Sequence, residues 1–213
     1  MLDKLIELDK SVFFGLNGLH SPAFDTIMVF MSESKVWIPL YIVILSALFF
    51  KLRKRVKGAG IASFFSIKRL DFRYSLIILL AVLLTFALTD LLSNEIKDIV
   101  KRFRPGYDPI TGNLVRLLEY PGSMYGFLSS HAANTFGLAL ITSFRFRNRI
   151  YTCCIFIWAF LVSYSRIYVG KHYPLDVLCG AVLGLLLALL VYYLMKIAIY
   201  KFKLKAESDV IYS

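Results

Sequence analysis

The sequence predicts an all-α fold, a polytopic membrane helical bundle of about five to six transmembrane helices led by an N-terminal amphipathic interfacial helix. Three observations carry this expectation. Of the 213 residues, 58% are hydrophobic. The apolar runs are longer and more numerous than the core of a soluble domain accommodates. Lysine and arginine crowd into some connecting segments and thin out in others, the asymmetry that orients spans in a bilayer. The formal charge of +11 suits an anionic ligand or an anionic lipid surface. With no basic soluble domain to carry it, nucleic acid is not an expected partner, and nothing calls for an obligate protein partner. Cys153, Cys154 and Cys179 fall inside apolar runs, read as small buried thiols, and imply neither a disulfide framework nor a metal site.

The expected organisation is an interfacial segment over residues 1–21, a single membrane-embedded domain over 22–200, and a basic tail over 201–213. In residues 2–18, Leu2, Leu5, Ile6, Val12, Phe13 and Leu16 recur at helical spacing, and Asp9 interrupts their stripe. Asp3, Lys4, Glu7, Asp9 and Lys10 also break the apolar continuity that a cleavable signal peptide needs. His20, between Gly18 and Ser21-Pro22, reads as a turn residue at the membrane surface.

From Phe24 to Met31 the chain is apolar but too short to span, and Ser32-Glu33-Ser34-Lys35 interrupts it before Val36 to Phe50. One broken span, two spans, or a re-entrant piece followed by a span all satisfy that pattern. Lys51, Arg53, Lys54, Arg55, Lys57, Lys68, Arg69 and Arg73 mark the next loop as cytoplasmic. Tyr74 to Leu92 matches the ~20 residues that cross the hydrocarbon core. Asp90 near its outgoing end is expected at the interface, where it pairs structurally or buttresses a site. Further apolar segments run over 132–144, 150–162 and 175–200. Placing 51–73, 145–149 and the chain from Lys196 onward inside accounts for 15 of the 25 lysines and arginines. Parity then puts 95–128 and 164–174 together outside.

Those two outer segments hold the reactive side chains. Lys97, Lys101 and Arg104 share one face if the helix continues to Pro105. Ser129-Ser130-His131 opens an apolar segment, where N–H groups and the helix dipole favour an anion. Capping by Ser129 or Ser130 is compatible with that role. In the stretch from Ser165 to Asp176, Arg166 supplies a cation, His172 a nucleophile or base, and Asp176 a carboxylate to orient the imidazole. Pro174 suits the first turn of the next helix. Two histidines, two helix N-termini and three cations thus meet on one side, as phosphoryl transfer requires.

Lys97 with six residues before Arg104-Pro105, then Ser129-Ser130-His131, then Ser165-Arg166 with five residues before His172 and three before Asp176 resembles the three-part signature of the type 2 phosphatidic acid phosphatase superfamily. The middle part departs from the usual Pro-Ser-Gly-His, with Leu128 for the proline and Ser130 for the glycine, which restricts φ and alters loop detail. The resemblance covers residues 74 to 200. It implies an integral membrane lipid phosphatase with no cofactor and no metal, acting on a membrane lipid phosphate at the outer, periplasmic face of a bacterial inner membrane. It makes His172 the nucleophile that becomes phosphohistidine, Asp176 its orienting carboxylate and His131 the general acid and then base. Lys97, Arg104, Arg166, Ser129 and Ser130 would hold the phosphate. Lys101 and Arg102, outside the signature, attract the head group or face solvent. The loop from Gly106 to Phe127, with Arg116, Tyr107, Tyr120 and Tyr125, would choose among undecaprenyl diphosphate, phosphatidylglycerophosphate or phosphatidic acid, and lipid A. The compact chain with its short outer loop is similar to bacterial undecaprenyl-diphosphate phosphatases, whereas residues 125–134 are similar to those of some lipid A phosphatases, and both readings stay open. The alternatives are an oxidoreductase like the related vanadium haloperoxidases, which are soluble and longer, and a non-catalytic lipid-binding protein.

Overall fold

A computed structural model describes residues 2–52, 67–69 and 72–202. Of the predicted cytoplasmic loop, the side chains of residues 51–71 lie outside the described residues, as does the tail beyond Phe202. Helix α1 (Leu2–Asn17) is followed by α2 (Pro22–Ser32) and α3 (Ile38–Ala47). Then come α4 (Phe72–Val100), α5 (Ser130–Phe146), α6 (Arg149–Tyr168) and α7 (Pro174–Lys201). The body is all-helical, as expected. A three-residue antiparallel ladder, β1 (Phe50–Leu52) with β2 (Ile67–Arg69), joins α3 to α4.

The predicted break after Met31 is a bend of 67° between α2 and the stretch continuing into α3. Ser21 caps α2 by accepting from Phe24 N, with Pro22 in the first turn. Glu33 is extended, its carboxylate accepts from Lys35 N, and a 3₁₀ turn over Ser34–Trp37 leads to Pro39 and α3. Among the described residues α4, α6 and α7 are long and apolar enough to cross a membrane, and the bent pair makes a fourth candidate. The expected five to six spans included α5. Its 17 residues make a rod of about 25 Å, shorter than the ~30 Å hydrocarbon core.

α5 is the innermost helix and packs on α4, α6 and α7. Its approach to α7 is set by Gly180 and Gly184, where an added Cβ would lie 2.4 Å from Ser129 O and 2.1 Å from Ala133 O. Away from the helix ends that carry the polar motifs, Ile44, Leu48, Ile78, Val82, Leu138, Ile141, Ile155, Trp158 and Val162 form the core. Trp158 meets Trp37 edge-on at 5.4 Å. At that end Arg145 Nη2 donates to Leu48 O at 3.2 Å, closing α5 on the end of α3.

The N-terminal segment is helical over Leu2–Asn17, and Asp9 does not spoil its face: the carboxylate is buried among polar partners on α7 and the loop after α4. Phe13, fully buried, packs on Tyr173 and Ile167. His20 is an exposed turn residue whose Nδ1 lies 2.8 Å from Gly18 O. The expectation of buried thiols is corrected. Cys153 and Cys154 are exposed and Cys179 is partly so, because they sit on helix faces that no other helix covers among the described residues.

Candidate active site

Four helix ends meet around the polar motifs: the C-termini of α4 and α6 and the N-termini of α5 and α7. α4 stops at Val100, earlier than the predicted end, so Lys97, Lys101 and Arg104 do not share a helix face. Pro105 disfavours helical backbone at Arg104, which is extended (φ −66°, ψ 157°), and Lys101 takes a left-handed φ of 52° to turn the chain. Residues 102–104 then pair with 124–126, Arg104 N donating to Met124 O and Gly126 N to Arg102 O, both at 2.9 Å. This pairing aims Arg104 inward. A Cβ on Gly126 would meet Arg104 Cγ at 2.8 Å, so the close approach needs glycine there.

Lys97, on the last turn of α4, donates to Ser130 Oγ and to Asn94 Oδ1 at 3.0 Å. Ser93 Oγ donates to the same Ser130 hydroxyl at 2.7 Å. The side chain that departs from the usual glycine is therefore a tether for the lysine, and Ser130 is the first residue of α5, not a left-handed turn. Ser129 caps α5 through its hydroxyl, and its N–H donates to Asp176 O at 2.9 Å, which ties the N-termini of α5 and α7 together.

His172 is 2% exposed and lies between Arg104 and Asp176. Arg104 Nη1 is 3.3 Å from His172 Nε2. Arginine has donors only, so Nε2 presents its lone pair to the guanidinium and the imidazole proton resides on Nδ1. Among the described residues Nδ1 makes no well-formed hydrogen bond; it stands 3.7 Å from Asp176 Oδ2, with the Gly126 backbone beside the ring. That separation is a close approach and not a bond, because Asp176 is engaged elsewhere. Its Oδ1 accepts from Arg102 Nη1 at 2.6 Å and its Oδ2 from Tyr173 N at 2.9 Å. Burial, and then the fields of Arg104, Arg166 and Lys97, hold the His172 imidazole well below its ordinary range. The neutral form of the His172 imidazole is therefore the favoured one at pH 7.

The bend between α2 and α3 supplies contacts that sequence reasoning missed. Ser34 Oγ is 2.8 Å from His131 Nε2. Arg166, 5% exposed, donates Nη1 to Ser32 O at 2.8 Å and to Ser32 Oγ. Glu119 accepts from Ser32 Oγ at 3.0 Å, pairs with Lys171 at 2.5 Å and lies 4.0 Å from Arg166. Burial lowers the Lys171 ammonium despite that partner. The polar interruption at Ser32 to Lys35 was the available signal for these contacts. Glu119 had none. Arg102 was misplaced as a solvent or head-group residue; it is a partner of Asp176.

The model of the PAP2 superfamily matches residues 76–200. The chain belongs to the PAP2 superfamily. It is 35% identical to the lipid A 4′-phosphatase of Porphyromonas gingivalis over 193 residues, covering 90% of this chain and 74% of that protein. It is 32% identical to the lipid A 4′-phosphatase of Bacteroides thetaiotaomicron over 187 residues, covering 86% and 75%. The crystal structure of the PAP2-type phosphatidylglycerolphosphate phosphatase from Bacillus subtilis shares the fold at a TM-score of 0.63 and 23% identity, covering 95% of this chain and 89% of that one. This PAP2 chain is accordingly a multi-pass membrane phosphatase.

Proposed function

We propose that the chain removes a phosphate from a lipid A-class saccharolipid at the outer face of a bacterial inner membrane, through a phosphohistidine on His172. The observation that carries the mechanism is the Arg104–His172 contact, which sets the Nε2 lone pair beside a cation that can receive a phosphate oxygen. In this reading Nε2 forms the N–P bond as the bond from phosphorus to the lipid oxygen breaks. His131, in its imidazolium form beside the bound phosphate dianion, gives a proton to that leaving oxygen and becomes neutral. A water then loses a proton to His131 and attacks phosphorus, the N–P bond breaks, and inorganic phosphate leaves. Lys97, Arg104 and Arg166 offset the phosphate charge, with Ser129, Ser130 and the α5 N-terminus beside them. Asp176 faces the imidazole edge that gains positive charge when the N–P bond forms.

The substrate class is supported by the two lipid A 4′-phosphatase relatives, each matched over most of its length. The test is phosphate release by purified protein in detergent with EDTA, offered lipid A, undecaprenyl diphosphate, phosphatidylglycerophosphate and phosphatidic acid. Release from lipid A that exceeds the others and vanishes in His172→Ala is the expected result. Preference for undecaprenyl diphosphate would overturn the substrate class and leave the mechanism, and release retained by His172→Ala would overturn the mechanism.

A further inference from the structure

The loop after α4 places Arg102 between two buried carboxylates from opposite ends of the chain. Its Nη1 donates to Asp176 Oδ1 at 2.6 Å and its Nη2 to Asp9 Oδ2 at 2.5 Å. The Asp176 side chain is 0% exposed and that of Asp9 5%. Asp9 in turn accepts from Leu175 N at 2.8 Å in the first turn of α7. The guanidinium lies over the Tyr173 ring, 4.3 Å from its centroid, and Phe13 of α1 meets the same ring edge-on at 5.1 Å between centroids. A second tie runs parallel to the first: Lys10 Nζ donates to Asp108 Oδ2 at 2.6 Å, and Tyr173 OH donates to the same oxygen at 3.3 Å.

This arrangement has a consequence for the site. Two buried carboxylates sharing one cation cannot both stay ionised and close if that cation is withdrawn. Arg102 occupies Asp176 Oδ1, which leaves Oδ2 as the oxygen turned towards His172 Nδ1. The plane of the carboxylate is thus set by a fork whose other prong is held by α1. We infer that Arg102, anchored by Asp9, is a positioning residue for the His172–Asp176 pair, so that α1 is part of the machinery that sets the nucleophile. The inference rests on the proposed role of His172. The polar side-chain contacts of Arg102 are to Asp176 and Asp9, so it acts on the imidazole through Asp176.

The experiment measures phosphate release from the preferred lipid phosphate, with kcat and KM separated and thermal unfolding followed beside them. Arg102→Gln is expected to lower kcat about 100-fold with KM within about twofold, and Arg102→Lys, which keeps the charge but not the fork, to recover about tenfold of that loss. Asp9→Asn is expected to lower kcat about tenfold. In an Asp176→Asn background, Arg102→Gln is expected to add less than about a threefold loss, because both residues act through one carboxylate. Independent, multiplying losses would overturn the inference, as would an Arg102→Gln enzyme within about threefold of the parent in kcat. Should Arg102→Gln not fold, Arg102→Lys and Asp9→Asn decide: parental kcat in both overturns it. A parent protein that releases no phosphate overturns the proposed function together with this inference, whereas an active parent with indifferent Arg102 and Asp9 variants overturns the inference alone.

Discussion

Ser34 and His131, separated by 97 positions in the chain, stand 2.8 Å apart from hydroxyl oxygen to Nε2. The hydroxyl comes from the bend between α2 and α3, and the imidazole from the first turn of α5. Under the proposed mechanism Nε2 must reach a leaving-group oxygen, so Ser34 occupies a place that substrate contests. Ser34→Ala is expected to leave kcat within about twofold and to lower apparent KM about fivefold, the worth of one net hydrogen bond near 1 kcal/mol. A large fall in kcat from steady-state kinetics would show instead that Ser34 orients His131 for catalysis.

Removing the proposed reacting groups has unequal consequences. His131→Ala is expected to cost about 10²–10⁴-fold in turnover, the range of a lost general acid–base. His172→Ala should leave no measurable turnover. Both proteins should be obtained folded, and a failed acid-quench trapping of phosphoprotein in the active parent would count against the covalent step.

Ser130 holds Lys97, and its loss should be felt at the phosphate. Ser130→Ala is expected to lower kcat/KM about tenfold, or ~1.4 kcal/mol, because the ammonium loses its tether while its charge remains. A variant indistinguishable from the parent would mean that Asn94 alone suffices.

The neutrality of His172 gives a pH signature. Its imidazole is held well below 6.5 in the folded protein by burial and then by Arg104, Arg166 and Lys97. As pH falls through about 6.5 the unfolded chain takes up a proton that the folded site refuses. Stability from this group is therefore complete above that pH and declines as pH drops towards the folded value. The thermal midpoint of the parent should fall more between pH 7.5 and 5.5 than that of His172→Ala. Equal falls would mean that His172 titrates alike in both states.

Gly184 tests the packing that sets the site. A Cβ there would lie 2.1 Å from Ala133 O, so Gly184→Val should force α5 and α7 apart and destabilise by about 3 kcal/mol. Thermal unfolding measures the loss, and an unchanged midpoint would show that the helix ends adjust freely.

Most of the candidate site was legible because its residue types and spacings are local. Lys97, Arg104, Ser129, Ser130, His131, Arg166, His172 and Asp176 all lie within or beside segments whose polarity contrasts with apolar runs. The contacts of Arg102 were not legible, since its neighbours Lys101 and Arg104 gave it the look of a basic interfacial cluster. Asp9 was visible only as an anomaly on an apolar stripe. Its meaning depended on Arg102 and Leu175, which sequence distance conceals.

The sequence alone determined the helical class, the approximate helix limits and the order of the polar motifs, because hydrophobic periodicity, proline and capping residues act within a turn or two. Tertiary structure decided which partners those motifs meet. Asp176 turned out to be held by Arg102 and Tyr173 N, Lys97 by Ser130, and His131 and Arg166 to be in contact with the α2–α3 bend. Such pairings depend on how closely helices approach and where a bend falls, and those are properties of packed surfaces brought together from distant parts of the chain.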